Sequence, residues 1–67
     1  MWTAVHMTTG FENALNIERQ LKKEGFLVKV KYFTKEGEEE LYEILAPEFE
    51  AGEIQEAMIE LGIIWFI

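Results

Sequence analysis

The stretch from Phe26 to Pro47, FLVKVKYFTKEGEEELYEILAP, constrains the fold most. Phe26, Val28, Val30 and Tyr32 alternate with Leu27, Lys29, Lys31 and Phe33. That is the period-two pattern of a strand with one buried face. Its β-branched and aromatic side chains suit a pleated, half-buried surface. Thr34-Lys35-Glu36-Gly37 follows with turn chemistry, and Gly37 is free to take a positive φ. The second arm, Leu41 to Ala46, alternates again, with Tyr42 and Ile44 facing away from Leu41, Glu43 and Leu45. Pro47 stops it, because proline cannot donate to a ladder. The expectation is a β-hairpin in which Lys29 and Lys31 face glutamates of the partner arm, a pairing that helps set register.

Each arm leads to a helix. Before the hairpin, Trp2 to Thr8 is expected to form a strand, with Thr3, Val5 and Met7 on one face and Trp2, Ala4 and His6 on the other. Thr9-Gly10-Phe11-Glu12 fits a capping box with Thr9 as N-cap. A first helix then runs to about Glu24, with Phe11, Ala14, Ile17 and Leu21 as its apolar stripe. Lys22 and Lys23 suit its last turn, and Gly25 suits the left-handed residue beyond it. After Pro47, a second helix spans about Glu50 to Leu61, with Phe49 as a staple and Ile54, Ala57, Met58 and Leu61 as the stripe. Gly62 ends it, and Ile63 to Ile67 is expected to form a last apolar strand.

The two halves repeat at an offset of 37 residues: Ala14 maps to Ala51, Ile17 to Ile54, Leu21 to Met58, Gly25 to Gly62 and Phe26 to Ile63. Val5 likewise maps to Tyr42 and Met7 to Ile44. Two β-α-β units with right-handed crossovers predict one α+β domain. The expected architecture is a ferredoxin-like β-α-β-β-α-β sandwich, with a four-stranded antiparallel sheet and two helices on one face. The expected strand order is fourth, first, third, second.

This parity also determines the uncovered face. It is expected to carry Trp2, Ala4, His6, Leu41, Glu43, Leu45, Ile64 and Phe66, with Leu27, Lys29, Lys31 and Phe33 beside them. An apolar patch of about several hundred Å² marks a contact site. The predicted interaction residues are Trp2, His6, Leu41, Leu45, Ile64 and Phe66. A chain of 67 residues is marginal alone, and association is a common remedy.

Several chemistries are disfavoured. The net charge is −7, with thirteen glutamates and no aspartate, so nucleic-acid binding is not expected. No run reaches the length of a membrane span, and the first residues lack signal-peptide character. Without cysteine there is no disulfide or thiolate chemistry, which is compatible with a cytoplasmic location. His6 is the single histidine, and Glu43 is its one plausible neighbour, so neither a metal site nor a catalytic pair is expected. Glu36, Glu38, Glu39 and Glu40 lack the spacing of a calcium loop. Thr8, Thr9 and Gly10 at the first helix start are the one candidate site for a small-molecule or anionic ligand, and no cofactor is implied.

The Met1-Trp2 opening, Ala14 and Leu21 in the first helix, Glu24-Gly25-Phe26, and Tyr42-Glu43-Ile44-Leu45-Ala46-Pro47-Glu48 form a further pattern. It resembles the small bacterial DUF2007-type proteins, described as putative prokaryotic signal-transducing proteins. The resemblance implies a ferredoxin-like regulatory domain without catalytic residues. The expected function is a non-enzymatic interaction module, a homodimer or a binder of a protein partner. The alternative is a metabolite or anion sensor.

Overall fold

The structure, a computed structural model, describes residues 1–63. The elements are β1 (Trp2–Thr9), α1 (Phe11–Lys23), β2 (Lys29–Glu36), β3 (Glu39–Pro47), a short 3-10 turn (Glu48–Glu50) and α2 (Ala51–Glu60). The strands form one antiparallel sheet in the order β1-β3-β2. Both helices pack on the same face. Ala14, Ile17 and Leu21 of α1 and Ile54 and Met58 of α2 share a core with Val5, Val28, Tyr42, Ile44 and Ala46. The helical stripes come from residues at steps of three and four.

Among the described residues the sheet has three strands, which corrects the four-stranded ferredoxin-like expectation. The fourth strand was expected to start at Ile63. Instead the Ile63 N–H closes α2, donating to the Met58 carbonyl at 2.8 Å. Gly62, at φ 78°, donates to the Ile59 carbonyl at 3.1 Å. This double bond is a Schellman cap. The rest of the expected strand, Ile64 to Ile67, lies outside the described residues.

The same cap ends α1. Gly25 donates to Lys22 at 3.0 Å and Phe26 to Leu21 at 3.1 Å. The 37-residue correspondence therefore holds at both helix ends, down to the carbonyls that accept. The capping box expected at the start of α1 does not form. Thr9 remains in β1, and Gly10 is the N-cap at φ 85° and ψ 136°, without a side-chain cap. That backbone region is open to glycine almost alone. The Gly10 N–H donates to the Glu40 carbonyl at 2.8 Å, and Asn13 Nδ2 donates to the Thr9 carbonyl at 2.9 Å. The Thr9–Glu12 capping box is replaced by these contacts.

Three smaller differences concern the hairpin and α2. The turn is Gly37-Glu38, with Glu36 opposite Glu39. Gly37 alone has positive φ there, the pattern of a type II′ turn. Pro47 is tolerated as the last residue of the central strand because β2 does not begin until Lys29, which pairs with Leu45. Phe49 does not staple α2; it is 81% exposed. The start of α2 is tied to the chain entering β2 by a bond from the Leu27 N–H to Glu50 Oε1 at 3.2 Å.

Candidate interaction face

The register shows which residues share the face that no described helix covers, because directly opposed residues point the same way. Across β1, β3 and β2, one row is Ala4, Leu45 and Lys29, and the next is Met7, Glu43 and Lys31. Thr9, Leu41 and Thr34 form a third row, and Trp2 stands opposite Pro47. Trp2 and Met7 are large apolar side chains on it, exposed at 41% and 44%. Ala4 is exposed, and Leu41 and Leu45 are half-buried. Lys29 reaches across the strand, its Nζ 4.0 Å from the Trp2 ring centroid. A cation over the indole face tethers Trp2 across this surface.

Of the predicted contact residues, Trp2, Leu41 and Leu45 lie together on this face. His6 does not. A bulge places both Val5 and His6 against Ile44, so the alternation shifts by one residue. His6 turns to the helix side, half-buried, and burial lowers its pKa below 6.5. Glu43 faces Met7 on the opposite side of the sheet, so His6 and Glu43 are not a pair. Met7 takes the place expected for His6, and the alternation of Val5, His6 and Met7 gave no sign of it. Ile64 and Phe66 lie outside the described residues.

Thr8, Thr9 and Gly10 do not converge. Thr8 opposes Tyr42 on the helix side, and Thr9 opposes Leu41 on the open side. Thr9 and Gly10 border a cavity of about 340 Å³ whose other walls are Glu38, Glu39 and Glu40. An anion there meets like charge, and the Gly10 N–H is already bonded. Beside it, Tyr42 packs against Phe11 and Tyr32 with ring centroids 5.5 and 5.6 Å away. Burial of the Tyr42 ring, then the Glu40 charge and hydrogen bond at 3.5 Å, raise the phenol pKa above 10.0. Among the described residues, no three His, Asp or Glu side chains are grouped to hold a metal ion. No described helix is long and apolar enough to cross a membrane.

Compared with protein-family models, curated proteins and solved structures, the chain matches none.

Proposed function

We propose that the protein is a small cytoplasmic, non-enzymatic interaction module that self-associates through its uncovered sheet face. The observation that supports this reading is the clustering of Trp2, Met7, Leu41 and Leu45 on the side without described helices. Apolar surface of this kind is stabilised by leaving water. The DUF2007-type regulatory role suggested by the sequence motifs belongs to the same proposal.

Three strands of about eight residues project roughly 14 by 26 Å, or about 400 Å². A standard interface takes about 800 Å² from each partner. Contact through this face alone is therefore expected to be reversible. The face is favoured over the β2 edge, which carries Lys29, Lys31 and Lys35 and a bulge at Phe33. Both features discourage strand-to-strand pairing.

The melting temperature tests the reading. Binding between copies makes it rise with protein concentration. The rise is expected in the wild type and is expected to be smaller in Trp2→Glu. A concentration-independent melting temperature in the wild type overturns the reading.

A further inference from the structure

The charge of this molecule is segregated between its elements. All six basic residues lie in α1 and β2: Arg19, Lys22, Lys23, Lys29, Lys31 and Lys35. The segment from Glu48 to Glu60 holds five glutamates and no base. Glu53, Glu56 and Glu60 are exposed and recur at steps of three and four, so they share one stripe of α2. Like charges at that spacing repel, and Glu60 sits where the helix dipole disfavours an anion. No base stands in the last turn to relieve it.

Nor does α1 relieve this stripe. Among the described residues the one ion pair is Lys22 Nζ to Glu18 Oε2, at 3.6 Å within α1 itself. Arg19, Lys22 and Lys23 are exposed, and with Asn16 and Gln20 they line an open groove of about 650 Å³. On α2, the apolar side chains Ile59 and Leu61 flank Glu60 and are 43% and 41% exposed. One helix thus offers a basic groove, and its neighbour offers an acidic stripe with apolar residues beside it.

We propose that the helix layer is a second self-docking face, in which α2 of one copy lies along the Asn16–Lys23 groove of another. Glu53, Glu56 and Glu60 meet Arg19, Lys22 and Lys23. The occupant is a second copy because adjacent helices of one molecule supply both signs. A two-fold axis between the layers then makes the contact twice and closes it. This face is opposite the uncovered sheet face, and docking here does not depend on contact there.

Charge reversal in a Trp2→Glu background tests the proposal apart from the sheet face. One variant carries Arg19→Glu, Lys22→Glu and Lys23→Glu. The other carries Glu53→Lys, Glu56→Lys and Glu60→Lys. All six positions are exposed, and circular dichroism checks that each variant is folded. Sedimentation at low salt is expected to show each variant monomeric alone. Their mixture is expected to associate at least about tenfold more tightly than either, because both contacts regain opposite charges.

Net charge makes a different forecast. The background carries −8, one below the chain's −7, and the glutamate-to-lysine variant −2, so repulsion alone favours self-association of the latter. Self-association of that variant as tight as the mixture overturns the proposal, and so does a monomeric mixture. If Trp2→Glu abolishes association and the mixture stays monomeric, the helix layer is excluded while the sheet-face reading stands. If the parent with Trp2→Glu associates like the wild type and the mixture behaves as expected, the sheet face fails instead.

Discussion

The two faces of β3 differ by a single step along one strand. Ile44 and Ala46 are fully buried beneath the helices. Leu41 and Leu45 point the other way and remain half-buried, with Glu43 between them. Both faces are largely apolar, yet only one is covered by a described layer. The covered side holds the fold together. The apolar residues on the other side have no described layer over them, and the proposed role for them is contact with another molecule.

The largest expected effect breaks the covered face. Ile44→Ala should lose about 2–5 kcal/mol in urea unfolding, from the lost transfer energy plus the cavity left behind. A domain of this length has only about 3–10 kcal/mol in all, so the variant should be mostly unfolded when warmed. A loss below about 1 kcal/mol would erase the distinction between the faces.

Gly10 marks where the chain leaves the sheet for the covering layer. Gly10→Ala forces a side chain into a backbone region that excludes it and should lose about 1–3 kcal/mol in the same experiment. Steric contact is not the cause, since an added Cβ would meet only Asn13 Nδ2, at 3.8 Å. On the uncovered face, Leu45→Ala should change monomer stability by less than about 1.5 kcal/mol, because its side chain is only half-buried. Its association should nevertheless weaken, which a dilution series reads directly. A larger stability loss would mean that Leu45 belongs to the core.

The smallest effect concerns His6. Its folded pKa lies below 6.5, so below pH 6.5 the unfolded chain takes up the proton first. Its contribution is therefore complete above pH 6.5 and is lost as pH falls toward the folded value. Unfolding midpoints at pH 7.5 and about 5.5 should differ less in His6→Gln than in the wild type. An NMR titration midpoint above 6.5 would contradict the burial of the His6 ring.

Most of the architecture was legible because it rests on local rules. The glycine caps, the hairpin and the centres of the helix stripes announce themselves through spacing and φ requirements, whereas the expected stripe ends, Phe11 and Leu61, are exposed, and Lys29 faces Leu45 instead of a glutamate. Trp2, Leu41 and Leu45 were likewise recoverable from alternation alone. What escaped is non-local. The bulge at Val5 depends on how β1 meets Ile44, and Val-His-Met alternates perfectly well without one. The cap at Gly10 depends on Glu40, thirty residues away in sequence. The last strand was expected from an apolar run, a pattern that does not say whether its first residue joins a sheet or closes a helix.

Light scattering on a sizing column, across at least a tenfold concentration range, tests the central claim most directly. The wild type is expected to rise from the 7.9 kDa monomer mass to twice that value or more as concentration rises. Leu45→Glu, folded by circular dichroism, is expected to show a smaller mass at every concentration. A wild type that stays monomeric throughout, or a Leu45→Glu variant that associates equally well, would contradict the claim that the uncovered face is a contact surface.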